Sequence, residues 1–390
     1  MTVVQLARTP VGLARRLRTR GVTAGRWTSG ASLLVLPTAF LLFGGLIMIL
    51  SASWVSAFQQ YGTSYLFFRR QLLWAALGVL AMTVTALVDY RRWRKLGYLI
   101  YLVSLAGLVL VLHPSIGSTV SGSSRWMSIG PIRWQPSELA KLGLILVGAD
   151  ICVRKGKRLR TWKDVMVPFG IGAGIVGGLV MMQPDLGTTL ILAGVVFVVL
   201  YLAGTRMRVI IGMGFAGTAS ALLLSMSEGY RRARLQDFWN PFKDPLNAGY
   251  QAVQSQIALG SGGLFGVGLG ASRQKWMYVP NAHTDFIFSI IGEELGLLGT
   301  FVVIALFGLL AYAGVRAARR APDTFGRIVA GGITAWIVGQ AVLNMGAVTG
   351  LLPITGVPLP LISYSGSFAL MIMFALGVVN SVWVHRHEVA

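Results

Sequence analysis

Cysteine is all but missing. Cys152 is the single one in 390 residues, which excludes an internal disulfide framework and any multi-cysteine metal site. The four histidines are scattered, with no spaced Cys/His set, so no zinc signature is present. Charge is scarce as well: 12% of residues are charged, against about 25% in soluble domains. Acidic side chains are the scarcer sign, 13 against 34 Lys and Arg. No polar stretch exceeds roughly 60 residues, and domains with their own core run to about 50–250, so no separate soluble domain is expected. What remains is 55% hydrophobic, with a mean hydropathy of +0.69, arranged as long apolar runs from Ser32 to Val384. The solvent for most of this chain is lipid.

The runs predict an all-α polytopic membrane protein of about ten transmembrane helices, near 33–54, 71–88, 97–113, 137–152, 164–182, 186–204, 209–226, 285–315, 328–349 and 361–384. The formal charge of +21 would suit nucleic acid, but its carriers cluster in short loops between the runs, which is how membrane orientation is set. Arg91, Arg92, Arg94 and Lys95, then Arg154, Lys155, Lys157, Arg158, Arg160 and Lys163, then Arg316, Arg319, Arg320 and Arg327 fall on one side with the tail and Arg386. Both termini are therefore expected in the cytoplasm. Residues 1–30 read as a disordered basic tail near anionic lipid, not a cleaved signal peptide. Residues 31–385 form the membrane domain and 386–390 a cytoplasmic end. The opposite side receives a long loop, 227–284, rich in Gly, Trp and Tyr. Loops beyond about 15 residues are usually functional or disordered, and its helical piece from Ala252 to Leu259 predicts folding onto the outer surface.

Ionisable residues in or beside apolar spans carry the functional signal, because a charge in hydrocarbon costs a few kcal/mol or more. In WQPSELAK (134–141), Glu138 and Lys141 share a helical face at i, i+3; the spacing equally serves a structural ion pair. In QPDLGTT (183–189), Asp185 stands at a helix start, where a capping role competes with a chemical one. NAHTDFIFSIIGEE (281–294) puts Asp285, preceded by His283 and Thr284, where the outer loop enters a span. Capping is again the alternative, while the helix dipole favours a carboxylate able to accept a proton. Glu293 lies nearer the Asp285 face of that helix than Glu294 does. TGVPLPLISYSGS (355–367), with Ser363, breaks the backbone at Pro358 and Pro360, which requires protein or a cavity around the freed groups. Arg125, Arg133, Arg231, Arg232, Arg234, Arg273 and Lys275 form a basic outer group suited to phosphate oxygens or lipid head groups. Gly268-Leu-Gly270 lacks the strand–helix setting of a nucleotide site.

Taken in order, SRWMSIGPIRWQPSELAK (124–141), QPDLGTT, GYQAVQSQIALGSGGLFGVGLG (249–270), YVPNAHTDFIFSIIGEELGL (278–297) and GLLPITGVPLPLISYSGS (350–367) resemble the SEDS family (shape, elongation, division and sporulation) over about residues 33–385. SRQKWMYVPNAHTDF is more similar to the division branch than to the elongation branch. The chain departs from the family at Asn281, where Glu is frequent, and at Ser365-Gly366, where Gly-Gly is frequent. The resemblance implies a peptidoglycan glycosyltransferase that polymerises lipid II, a disaccharide-pentapeptide on undecaprenyl diphosphate, into β-1,4 glycan with inversion. It implies Asp285 as the catalytic base. Trp126 would pack on sugar or lipid, Lys141 would lie near diphosphate, and Glu138 and Asp185 would shape the site. His283, Ser363, Arg231 and Arg234 complete the substrate-binding candidates. A divalent cation, Mg or Mn, would assist without a dedicated cage. The implied partners are a class B penicillin-binding protein, a single-span transpeptidase, and other division proteins at the septum of a bacterial inner membrane. A lipid II flippase, an elongation-type polymerase and a division scaffold are the alternatives.

Overall fold

The structure, a computed structural model, describes residues 31–120, 123–129, 132–156, 162–165, 169–226, 238–247 and 249–385. The basic tail, the C-terminal end, and the loop arginines Arg231, Arg232 and Arg234 lie outside the described residues.

Each apolar run is helical. In chain order the helices are α1 (Ala31–Tyr61), α2 (Leu66–Leu87), α3 (Trp93–Val111), α4 (Pro136–Lys155), α5 (Ile171–Met182), α6 (Leu186–Leu202) and α7 (Met207–Met226). The loop helix α8 (Tyr250–Ser261) follows, then α9 (Ile287–Arg319), α10 (Thr324–Val348) and α11 (Ser367–Val384). Among the described residues α1, α2, α3, α9, α10 and α11 are long and apolar enough to cross a membrane by length and composition, and α5 and α6 are shorter apolar helices.

The fourth run behaves differently because it is the hub. Helix α4 starts with Pro136 in its first turn, the position where a missing N–H costs least. It is buried on nearly every side, between α3, α6 and α10. Its charged groups Glu138, Lys141 and Asp150 therefore meet protein rather than lipid. Outward-facing chains of α1, α2 and α9 are apolar and exposed, among them Phe43, Leu73 and Phe301, as a lipid-facing surface requires.

Polar contacts sort to the two ends. At one end Arg94 and Arg154 pair with the buried Asp150, and Tyr90 donates to Asp323 at 3.0 Å. This is the end the charge pattern assigns to the cytoplasm. The other end carries the loop helix α8, the 350–366 segment and a feature not expected from the sequence, a three-stranded antiparallel sheet. Its strands β1 (Gly117–Val120), β2 (Ser123–Ile129) and β3 (Ile132–Trp134) lie in the order β1-β2-β3.

Helix α9 is broken. Gly296 takes φ +66° and ψ −164°, open to glycine at little cost. The carbonyls freed at Glu293 and Glu294 accept from the N–H groups of Val267 (2.9 Å) and Gly268 (3.0 Å). Beyond the break, Leu297 and Leu298 donate to the carbonyls of Gly263 (2.9 Å) and Leu264 (3.2 Å). The glycine-rich stretch of the long loop thus replaces the missing helix bonds, as a break at membrane depth demands.

Candidate active site

The site is built first by a strand irregularity. Ser118 pairs with Trp126 and Thr119 with Ser124, so Arg125 is the extra residue of a β-bulge. A bulge re-aims the side chain it carries. Here the Arg125 Nη2 donates to the Pro184 carbonyl at 3.1 Å, and its Nε lies 3.5 Å from Asp185 Oδ2. Asp185 is buried and also caps α6, accepting from the Thr188 N–H (3.0 Å) and hydroxyl (2.8 Å). One carboxylate thus both caps the helix and holds the arginine.

Asp285 sits one residue before the α9 N-cap, which is Phe286. It faces the 355–363 segment at Gly356, whose φ of +66° excludes most side chains. A Cβ there would stand 3.5 Å from Asp285 Oδ2 and 3.9 Å from Arg125 Nη1. A carboxylate and a guanidinium thus face one another across bare backbone. Two amides of α10 hold this geometry. Asn344 donates to the carbonyls of Asp285 (2.8 Å) and Val357 (2.7 Å), and Gln340, one turn away, donates to that of Pro358 at 3.3 Å. Gln340 in turn accepts from Lys141 Nζ at 3.0 Å, and Lys141 pairs with Glu138 at 2.7 Å, both fully buried. Lys141 also lies over the rings of Trp336 and Phe368, 5.1 and 5.8 Å from their centroids. Glu138 Oε2 has no hydrogen-bond partner among the described residues. The predicted pair is therefore a support behind the site, coupled to Asp285 through α10.

The other candidates lie nearby in different roles. His283 packs its ring on Phe67 (4.7 Å between centroids) and Tyr364 (5.8 Å). That burial pushes its pKa down to about 4, so it is a neutral wedge at neutral pH. Ser363 is buried; it donates to the Thr284 carbonyl at 2.6 Å and accepts from the Leu359 N–H at 2.8 Å, stapling the proline segment to the residues before α9. Trp126 is half-buried on β2, with its carbonyl accepting from Ser118. Glu293 and Glu294 turn to the loop instead of to Asp285. Glu293 accepts from the Arg273 N–H at 2.9 Å, and Glu294 from Lys275 Nζ at 3.1 Å and the Ser51 hydroxyl. Arg231 and Arg234 lie outside the described residues.

The chain matches the model of the "Cell cycle protein" family of FtsW, RodA and SpoVE over residues 32–388. It belongs to that family, the SEDS proteins. Stage V sporulation protein E of Bacillus subtilis is 42% identical over 358 residues, 91% of this chain and 97% of the relative. A probable peptidoglycan glycosyltransferase FtsW of Geobacter metallireducens is 41% identical over 350 residues, 90% and 93% of the two chains. Among solved structures, a chain of a peptidoglycan synthase complex that coordinates polymerization and crosslinking superposes with a TM-score of 0.74 at 30% identity, covering 91% of this chain and 98% of that one. Rod shape determining protein RodA of Thermus thermophilus gives 0.68 at 28% identity, covering 93% and 99%. With six apolar helices of spanning length among the described residues, this SEDS protein is an integral membrane protein.

Gln340, Asn344 and Gly356 were not singled out from the sequence. The signal for the two amides is present: they stand at i, i+4 in an otherwise apolar span, TAWIVGQAVLNMG, where uncharged polar chains share one buried face. Among the described residues no group of three or more His, Cys, Asp or Glu is placed to hold a metal ion.

Proposed function

We propose that this SEDS protein is a peptidoglycan glycosyltransferase that polymerises lipid II at the outer end of the bundle. The observation that carries the reading is Gly356, with Asp285 on one side and Arg125 on the other. Inverting transfer from a lipid diphosphate needs a base for the attacking sugar hydroxyl and positive charge for the departing diphosphate. Asp285 takes the hydroxyl proton as the sugar oxygen bonds to the anomeric carbon of the growing strand. The bond from that carbon to the diphosphate oxygen breaks, and the electron pair leaves with undecaprenyl diphosphate. Arg125, held by Asp185, presents N–H groups to those oxygens. Arg231 and Arg234 belong with the same anionic group. Trp126 offers a ring surface beside it, and His283 and Ser363 fix the loop that carries Asp285. Single displacement inverts the α-linkage to β.

The relatives support septal wall synthesis, since FtsW names recur among them. The synthase-complex neighbour supports a class B penicillin-binding protein as partner, with the other division proteins around it. The test is purified full chain with such a transpeptidase and lipid II in vesicles, read as glycan ladders on a gel. Ladders are expected. Translocation of lipid II across the bilayer without any ladder would replace the polymerase by a flippase.

A further inference from the structure

Beside the outer end of α10 the structure holds a cavity of about 330 Å³, lined from both the long loop and the 347–354 turn. Two rings stand at it almost bare, Trp239 at 82% exposure and Phe242 at 64%. Three amides join them, Asn240, Gln251 and Gln256, and none of the described lining residues is ionisable. Aromatic faces carry negative charge density and attract the polarised C–H faces of a pyranose ring. Amides donate to and accept from hydroxyl and acetamide groups. A cavity of such composition selects an uncharged, hydroxyl-rich ligand over a phosphate or a peptide carboxylate.

Its position narrows the ligand further. Ile354 lines the cavity, and two residues on is Gly356, where an added Cβ would stand 3.5 Å from Asp285 Oδ2. Two extended residues span at most about 7 Å, which is of the order of one or two sugar rings. The turn between them is held on both sides. Ser255 of α8 donates to the Val348 carbonyl at 2.8 Å and meets Ser289 of α9, while Asn344 grips Val357.

We infer that this cavity is a saccharide subsite, in which Trp239 and Phe242 stack on N-acetylated sugar rings of the glycan strand next to the reacting end. The inference rests on the polymerase reading, and it adds a place where the strand stays attached between additions. Retention there lengthens strands without altering the chemistry at Asp285.

The test has two arms, both on the full chain. The first is calorimetric binding of the N-acetylglucosamine tetramer, which needs no polymerisation. The native chain is expected to bind it, Trp239→Ala to bind at least tenfold more weakly, and Trp239→Phe to recover most of the loss. An unchanged thermal midpoint shows that the variant is folded, as suits so exposed a side chain. The second arm is strand length in the partner complex, where Trp239→Ala and Phe242→Ala are expected to shorten strands severalfold. Equal tetramer binding by native and Trp239→Ala, or none by either, overturns the subsite, as do unchanged strand lengths. Loss of the transpeptidase by Trp239→Ala with tetramer binding intact also overturns it and makes the face a protein contact. If the native chain binds the tetramer through Trp239 yet makes no polymer, the polymerase reading fails and the saccharide site stands.

Discussion

A carboxylate near a helix start is ordinarily used in capping, and Asp185 is so used. Asp285 differs because Phe286 takes the cap position and Gly356 leaves room in front of the carboxylate. The arginine opposite owes its aim to one extra residue in β2. A charge-assisted hydrogen bond contributes about 1.5–3 kcal/mol, so Arg125→Ala is expected to slow polymerisation by roughly 10- to 150-fold. Arg125→Lys should recover only part, since an ammonium lacks the planar fork; initial rates on lipid II measure both. His283 gives a pH signature. Its folded pKa of about 4 lies below the ordinary value of 6.5, so the unfolded chain binds a proton that the folded chain refuses. Stability therefore falls as pH drops from 6.5 towards 4 and is insensitive to this group above 6.5. His283→Phe keeps a ring against Phe67 and Tyr364 and should flatten that part of the profile of thermal midpoint against pH.

At the scale of elements, the broken α9 ties the long loop to the bundle. The Cβ of Gly296→Ala would stand 2.4 Å from the Gly266 nitrogen and 2.5 Å from the Leu264 oxygen, both backbone atoms that cannot turn aside. A loss of about 3 kcal/mol or more is expected from such a clash at a left-handed position, read as a lower thermal midpoint in detergent. Gly308→Ala, with nothing within 4 Å of the added carbon, should be near neutral. The break also explains which parts were legible in sequence. The apolar runs became helices, because burial or lipid exposure of an apolar run depends on composition more than on neighbours. The loop helix was visible from Ala252 to Leu259, and the backbone break at Pro358 and Pro360 precedes α11 as the prolines require. Glu293 lies on its helix as expected, yet its partners are the Arg273 and Gln274 N–H groups and the Ser272 hydroxyl, because the glycine-rich loop folds back into the break. The contacts of Arg125 with Pro184 and Asp185 and the clasp made by Gln340 and Asn344 are long-range pairings. They join residues up to 199 positions apart, as Lys141 and Gln340 are, and no local pattern carries such a distance.

For the whole molecule, the charge asymmetry that orients the chain also fixes where chemistry happens. Arginines and lysines gather with Asp150 and Asp323 at one end, while Asp285, Asp185 and Arg125 meet at the other. In the proposed reaction the hydrophilic part of a lipid-linked sugar would be met outside while its chain stays in the bilayer. With Cys152 replaced by alanine as the background, Leu246→Cys is expected to react with a membrane-impermeant thiol reagent in intact cells. Lys163→Cys should react only after permeabilisation. Both side chains are exposed, so the reverse pattern would invert the assigned orientation.

The central claim, that the Asp285 carboxylate takes the proton of the attacking hydroxyl, is met most directly by one comparison. Native chain and Asp285→Asn, each in complex with the transpeptidase and each shown to bind lipid II, are followed for the rate of glycan formation under identical conditions. The asparagine keeps the shape but cannot take up the proton, and general-base catalysis is worth about 10²–10⁴-fold; a fall of at least 100-fold with substrate binding retained is the predicted result. Polymer formed by Asp285→Asn at the native rate would contradict the account.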